Sequence, residues 1–140
     1  RLLDLGLEPF LITATLEGIV AQRLVRKICD RCREPYQPDE AELMQLDLLP
    51  KDLEGRQLYR GAGCEFCNGT GYKGRQGIFE IMVLDDELRE LISQNASTQM
   101  LREHARKRGM TTLRQSGLQS LYEGVTTIEQ VAQETLIEED

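Results

Sequence analysis

The chain has 140 residues and a formal net charge of −7; 40% of its residues are hydrophobic, but only 5% are aromatic. This length allows one domain, or a domain with a small satellite, around a core of Leu, Ile and Val. The acidic balance disfavours general nucleic-acid binding, and no apolar run approaches the roughly 20 residues that span a bilayer. Its first residues show no basic n-region followed by a small-residue cleavage site, so no secretory signal is expected here. Because it begins inside an apolar segment without an initiator Met, we expect a fragment of a longer protein.

Residues 1–28 are predicted to form a helix that continues into a strand. Pro9 suits the first turn of a helix, and apolar residues then recur at roughly helical spacing as far as Gly18. Residues 19–28 fit a strand, one side of which carries Val20, Gln22, Leu24, Arg26 and Ile28.

Residues 29–74 hold both cysteine pairs, three of the four prolines and six of the twelve glycines. This change in composition predicts a small separate subdomain, with a short helix over residues 39–46 capped near Pro38 or Asp39. After Gly77, the apolar run at 78–84 predicts a strand within a return segment, residues 75–84. Two strands flanking the insertion predict a β-hairpin whose tip carries the cysteine-rich subdomain.

Residues 85–140 are predicted to form a small C-terminal helical bundle. Helix starts are indicated by four residues that suit N-caps or capping boxes, namely Asp85, Ser97, Thr112 and Thr127. Their amphipathic faces need further surfaces to pack on, and the acidic tail at 138–140 is expected to fray. The whole chain is therefore predicted to be α+β.

The strongest signal is a pair of Cys-x-x-Cys motifs, Cys29 with Cys32 and Cys64 with Cys67. A two-residue gap lets both sulfurs of one turn face the same ion, and two such turns complete a tetrahedron. We therefore predict one structural zinc site with four thiolate ligands. Since four protein ligands leave no open position for water or substrate, this site is not expected to be catalytic.

Other interpretations of the cysteines are weaker. Unpaired buried thiols need no such spacing, and disulfides are uncommon in a chain without a secretory signal. A thioredoxin-type redox motif is a single pair at a strand-to-helix junction, which neither pair matches. Iron in a rubredoxin-like site uses the same ligands, so the choice between zinc and iron stays open, with zinc the commoner occupant.

The remaining motifs predict no catalytic residue. Gly69, Gly71 and Gly74 satisfy a literal G-x-G-x-x-G, but they precede a strand, whereas a dinucleotide-binding fingerprint follows a strand and opens a helix. His104, the single histidine, is expected at a solvated helix surface. Arg23 and Arg26 could face a phosphate or another subunit, or lie along an exposed strand edge, and the sequence does not decide between these interpretations.

Three segments carry a family resemblance: DLGLEPFLI at 4–12, AQRLVR at 21–26 followed by Cys29-x-x-Cys32, and CEFCNGTGYKGRQGIFE at 64–80. In this order they resemble the traffic ATPases of type II secretion and type IV pilus assembly, over essentially the whole chain. The resemblance is to the secretion and pilus-extension branch, which carries a tetracysteine subdomain, more than to the retraction branch, which lacks one.

The resemblance implies the C-terminal part of an α/β P-loop NTPase domain from a cytoplasmic homo-hexamer, peripheral at the bacterial inner membrane. ATP and Mg²⁺ would bind elsewhere in the full-length protein, because the Walker segments are missing here. The fragment alone is expected to be inactive and monomeric, with the four cysteines matching the family's metal ligands. The predicted zinc-binding subdomain, residues 29–74, is called the zinc knob. Together with a basic flank that includes Arg31 and Arg33, it is expected to contact another subunit or the inner-membrane platform protein. No nucleic-acid partner and no membrane insertion are expected.

The alternative function is a zinc-binding interaction module of the DnaJ-type chaperone or nucleic-acid-binding kind. The second cysteine pair, with Gly69 and Gly71, matches the DnaJ-type repeat, but the segment after Cys29 lacks its glycines. A nucleic-acid reader would favour interleaved aromatic residues and a net positive charge, and the chain has neither. A zinc enzyme would need an open coordination position.

Overall fold

The computed structural model describes residues 1–136, so the expectation for residues 138–140 lies outside the described residues. Its helices are α1 (Pro9–Thr15), α2 (Glu40–Met44), α3 (Asp86–Ser93), α4 (Thr98–Lys107), α5 (Leu113–Tyr122) and α6 (Ile128–Glu134), with a 3₁₀ helix at Pro50–Leu53. Its strands are β1 (Gly18–Ile28), β2 (Arg33–Tyr36), β3 (Leu58–Gly61) and β4 (Tyr72–Val83). The α+β prediction is confirmed. None of the helices in residues 1–136 is long and apolar enough to cross a membrane.

The strands form two small sheets, β1 with β4 and β2 with β3. The hairpin predicted on either side of the cysteine-rich insertion is thus confirmed, although β4 begins at Tyr72, before the predicted return segment. Where the insertion joins the hairpin, the Cys29 amide donates to the Gly71 carbonyl at 2.9 Å. Inside the insertion, β2 and β3 pair antiparallel, with Arg33 opposite Gly61 and Tyr36 opposite Leu58; these two short strands were not predicted.

The chain folds into two compact units. Unit 1 comprises Arg1–Ala21 and Glu80–Thr112, and unit 2 comprises Gln22–Phe79 and Leu113–Asp140. Helices α3 and α4 therefore belong to unit 1, and α5 and α6 to unit 2, whereas the sequence was interpreted as one C-terminal bundle. The segment boundaries predicted after residues 28, 74 and 84 stay predictions.

Unit 1 is built on a small apolar core in which α1 packs against α3. Its buried residues are Ile12, Leu84, Leu88 and Ile92. Arg89 fastens the end of α1, because its guanidinium donates to the carbonyls of Thr13 at 3.0 Å and Leu16 at 3.2 Å. These carbonyls would otherwise lack an intrahelical partner.

Unit 2 has the larger core, in which the insertion supplies one side and α5 and α6 the other. Its buried residues are Leu43, Leu46, Leu48, Leu58, Leu121, Ile128 and Val131. Gly117 lies where α5 meets α6, and a Cβ atom built there would come within 2.7 Å of Val131 Cγ1. The missing side chain is what allows this close approach of the two helices.

Local capping accounts for where several helices begin. The side chains of the N-cap residues each accept a hydrogen bond from the backbone amide three residues later, at Asp39, Asp85, Ser97 and Thr127. These bonds satisfy amide groups that a helix leaves unpaired at its start. All four caps had been predicted from the sequence, although the α2 cap had been narrowed only to Pro38 or Asp39.

Candidate metal centre

Two turns bring the four predicted cysteines together. Their sulfur atoms all lie within 4.8 Å of one another, and three of the separations are 3.8 Å for Cys29–Cys64, 3.8 Å for Cys32–Cys67 and 3.7 Å for Cys64–Cys67. A tetrahedral ion with metal–sulfur bonds of about 2.3 Å separates its ligands by about 3.8 Å. The cluster therefore has the dimensions to hold one metal ion.

Glycines allow the backbone to pass close to itself beside this cluster. A Cβ atom at Gly61 would lie 2.1 Å from the Gly71 carbonyl oxygen, and Gly71 itself has a φ of +80°. A residue with a side chain would fit at neither position without moving the backbone. Gly71 of the literal G-x-G-x-x-G thus serves a turn at the cysteine site, which agrees with rejecting a nucleotide-binding loop here.

Backbone amides point at the sulfurs. Gly63 N donates to Cys32 Sγ at 3.3 Å, and Cys67 Sγ accepts from Cys64 N at 3.3 Å and Gly71 N at 3.2 Å. Burial raises the pKa of the Cys32 thiol. At Cys67 burial acts in the same direction, but the donors of Cys64 and Gly71 oppose it and the pKa of this thiol is lowered. Such amide donors stabilise sulfur in its thiolate form, which is the form that binds metals.

The outer side of the second cysteine turn carries a cationic and aromatic group of side chains. The Arg31 guanidinium lies 3.9 Å from the centre of the Phe66 ring, and Lys73 Nζ lies 4.9 Å from the same ring. Phe66 is 40% exposed. Within residues 1–136, neither Arg31 nor Lys73 is ion-paired with a carboxylate. We call this set of three residues the Phe66 cluster.

The other arginines near the site make internal contacts of different kinds. Arg33 donates to the Gly124 carbonyl at 3.1 Å and lies 4.4 Å over the Tyr59 ring, so it ties β2 to the turn between α5 and α6. Arg26 lies 4.2 Å over the Tyr72 ring. Arg23 contacts only the neighbouring Gln22 carbonyl among the hydrogen bonds of the described residues. The basic flank predicted from the sequence thus divides into inward-facing and outward-facing members.

The predicted position of His104 at a solvated surface is wrong. Its side chain is 13% exposed, and both ring nitrogens face carboxylates: Nε2 lies 3.1 Å from Asp85 Oδ2 and Nδ1 lies 3.4 Å from Glu87 Oε2. These partners come from the start of α3, so the charges adjacent to His104 in sequence gave no signal of them.

Comparison with known proteins identifies the family of this chain. Residues 1–133 match the model of the Type II/IV secretion system protein family. The chain belongs to this family. The type IV pilus assembly ATPase PilB of Thermus thermophilus is 46% identical over 136 residues, which cover 97% of this chain and 15% of the relative.

Two further relatives are named for type II secretion systems. Type II secretion system protein E of Pseudomonas aeruginosa is 44% identical, and type II secretion system ATPase E of Vibrio cholerae is 43% identical. Each match spans 135 residues, which are 96% of this chain and 26% of the relative. The resemblance to traffic ATPases drawn from the sequence is confirmed, and the chain spans between 15% and 26% of the length of these three relatives.

Proposed function

We propose that this chain is the C-terminal portion of a P-loop motor ATPase that powers type II secretion or type IV pilus assembly. The observation that carries the proposal is the 46% identity to a pilus assembly ATPase over 97% of the chain. On this proposal the segment supplies a structural zinc knob together with packing and docking surfaces. No observation favours the alternative of a chaperone-type or nucleic-acid-binding module.

The zinc ion would be held by Cys29, Cys32, Cys64 and Cys67. The sulfur separations of 3.7 and 3.8 Å and the amide donors to Cys32 and Cys67 support a four-thiolate site. The bound ion would cross-link the two ends of the insertion and stabilise the fold of unit 2, which the four ligands would do without any open position for a reaction.

Hydrolysis is assigned to the remainder of the full-length protein. The 140 residues contain no Walker A sequence, so ATP and Mg²⁺ would bind outside this chain, and the chain by itself would be inactive. We propose that the full-length protein is a homo-hexamer, peripheral at the cytoplasmic face of the bacterial inner membrane. ATP-driven movement would reach the inner-membrane platform protein through contacts that include the knob.

The Phe66 cluster is the part of the knob best suited to such a contact. Arg31 and Lys73 lie over the partly exposed Phe66 ring and have no carboxylate partner in residues 1–136. Arg33, which was expected to share this role, already uses its guanidinium within unit 2. A docking role is therefore tested at Arg31, with Arg33 as a residue whose loss would act through stability.

A chimera tests the proposed function. Residues 1–135 would replace the matching segment of the Pseudomonas aeruginosa type II secretion protein E and, in parallel, of the Thermus thermophilus PilB. We expect ATP hydrolysis in both chimeras and restored secretion or piliation in at least one. Arg31→Glu should weaken that restored function, whereas Lys51→Glu, at an exposed position of the 3₁₀ helix outside the Phe66 cluster, should not. Chimeras that fold and bind metal but restore neither process would refute the proposal.

Metal content tests the zinc assignment independently. Elemental analysis of the purified chain should give about one zinc per molecule, and a strong chelator should unfold unit 2. Iron in place of zinc would keep the structural role but change the ion. A folded chain with no metal and four freely titrating thiols would overturn the assignment.

A further inference from the structure

The four sulfurs of the metal centre receive unequal numbers of backbone hydrogen bonds. Cys67 Sγ accepts two amide donors, at 3.2 and 3.3 Å, and Cys32 Sγ accepts one, at 3.3 Å. No backbone amide in the described part of the chain donates to the sulfur of Cys29 or Cys64, whose contacts are with other sulfurs of the cluster. The fold therefore stabilises negative charge on Cys67 and Cys32 more than on Cys29 and Cys64.

The four cysteines also differ in exposure. Cys29 is 0% exposed and Cys67 is 4% exposed, whereas Cys32 and Cys64 are half-buried. A reagent dissolved in water reaches a half-buried cysteine more readily than a buried one. Among the described residues, Cys64 is thus the cysteine that is both half-buried and without an amide donor to its sulfur.

A hydrogen bond to a thiolate makes its sulfur a weaker nucleophile. When a thiolate attacks an electrophile, negative charge leaves the sulfur, and each N–H donor to that sulfur loses part of a charge-assisted hydrogen bond. This loss raises the barrier for the reaction at Cys67 and Cys32, but not at Cys64. Burial hinders the same reaction at Cys29, which has no amide donor either. Nucleophilic strength and access therefore coincide at Cys64.

We propose that Cys64 is the residue of the metal centre that small electrophiles, including peroxides, modify first. In the reaction with hydrogen peroxide, the Cys64 thiolate attacks one oxygen, the O–O bond breaks and hydroxide leaves. The sulfur is oxidised to a sulfenic acid and the peroxide is reduced. This inference rests on the four-thiolate site of the proposed function. Because the four ligands would join the two ends of the insertion, modification of one of them would destabilise unit 2.

Limited alkylation of the 140-residue chain tests the order of reactivity. Chain that holds about one zinc per molecule by elemental analysis is treated with less than one equivalent of iodoacetamide, whose iodide is displaced by the attacking sulfur. Labelled peptides are then quantified by mass spectrometry. Cys64 should react roughly threefold to tenfold faster than Cys32, the scale of one charge-assisted hydrogen bond that is partly lost during attack. The two buried cysteines should react more slowly still.

The unfolded chain is the matched control. In denaturant with a chelator, the same four cysteines have neither their amide donors nor their burial, so their alkylation rates should be similar. A parallel experiment uses hydrogen peroxide below one equivalent, followed by alkylation of the remaining thiols in denaturant. Each oxidised molecule should lack a free thiol at Cys64, whether the product is a sulfenic acid or a disulfide formed from it.

The outcomes separate this proposal from the zinc assignment. The proposal is overturned if zinc-loaded chain is alkylated first at Cys32 or at a buried cysteine, if all four residues react at equal rates, or if the folded chain stays unmodified where the unfolded chain reacts. Oxidised molecules that keep a free Cys64 thiol would also overturn it. None of these results would affect the zinc assignment, whereas a folded chain that binds no metal would overturn both.

Discussion

Replacing Gly117 with alanine gives a direct test of how closely α5 and α6 pack. Gly117 is in the middle of α5, where a Cβ atom would lie 2.7 Å from Val131 Cγ1 and 3.5 Å from both Ile78 Cδ1 and Thr135 Cγ2. The two distances of 3.5 Å are ordinary contacts. The distance of 2.7 Å is much shorter than the roughly 3.5 to 4.0 Å at which two carbon atoms pack. Val131 is 0% exposed, so its side chain has little room to move away.

Two opposing effects determine how much Gly117→Ala changes the free energy of unfolding. Extra methyl groups in a packed core cost about 1 to 3 kcal/mol, while alanine is better than glycine inside a helix by about 0.5 to 1 kcal/mol. The steric cost is the larger effect because the Val131 side chain is fully buried. We therefore expect the unfolding free energy of unit 2 to fall by about 1 to 2 kcal/mol. For a protein of this size this corresponds to a fall of roughly 3 to 8 °C in Tm.

The aromatic residues supply the assay. All four tyrosines, Tyr36, Tyr59, Tyr72 and Tyr122, lie in unit 2, and the chain has no Trp. Near-ultraviolet circular dichroism during urea unfolding therefore reports mainly on unit 2, without a contribution from tyrosine or tryptophan in unit 1. Gly117→Ala should shift the midpoint of this signal to lower urea with an unchanged slope.

The sign of the effect should reverse in a second background. Val131→Ala is itself destabilising because it removes buried apolar contacts, but it also removes the atom that the new methyl group would meet. Adding Gly117→Ala to Val131→Ala should then be neutral or stabilising, since the gain in helix propensity remains. If Gly117→Ala stabilises the native background, or if the two substitutions add without coupling, the close approach of α5 and α6 is refuted.

Three further predictions follow from contacts described above. Leu43→Ala, at a position 4% exposed in the unit 2 core, should lower the unfolding free energy by about 2 to 5 kcal/mol in the same urea assay. Arg33→Leu removes the donor to Gly124 and should lower it by about 1 kcal/mol, while Arg31→Leu, its outward-facing control, should change it by less than about 0.5 kcal/mol. The hydrogen bond from the Leu88 amide, together with His104, lowers the pKa of the Asp85 carboxyl. The ionised carboxylate therefore stabilises the start of α3 at any pH above the ordinary pKa of an aspartate. As the pH falls through the lowered pKa, the Leu88 amide should lose its protection from hydrogen exchange.

For each of these three predictions, one experimental outcome would contradict the contact on which the prediction is based. Equal effects of Arg33→Leu and Arg31→Leu would mean that the Gly124 bond contributes nothing. A Leu43→Ala variant of native stability would show that α2 does not pack on α5 and α6. A Leu88 amide whose protection stays constant down to about pH 2, well below the usual carboxyl range, would contradict the capping role of Asp85.

Features set by short-range chemistry were the predictable ones. The Cys-x-x-Cys spacing already restricts the positions of two sulfurs, so the four-cysteine cluster could be predicted before any fold was known. The caps at Asp85, Ser97 and Thr127 depend on residues three positions apart, and they too were predictable. The family resemblance rested on motifs around these same local features.

Features set by distant residues were not predictable in the same way. Strands β2 and β3 are four residues each, contain Pro35 and Gly61, and exist because they pair across the insertion. The burial of His104 depends on the start of α3 meeting the end of α4. The division of the C-terminal helices between two units likewise follows from contacts that residues 85–136 make with earlier parts of the chain, which no periodicity within those helices records.

The backbone bond between Cys29 and Gly71 has an evolutionary consequence. Because the insertion leaves and rejoins the hairpin at adjacent positions, a short turn could replace it without altering the path of β1 or β4. The loss would not be neutral, since the insertion covers the apolar side chains of Leu121, Ile128 and Val131. Relatives that lost this segment would also need polar residues at those three positions. The loss of the insertion should therefore be accompanied by substitutions in α5 and α6, which contain none of its cysteines.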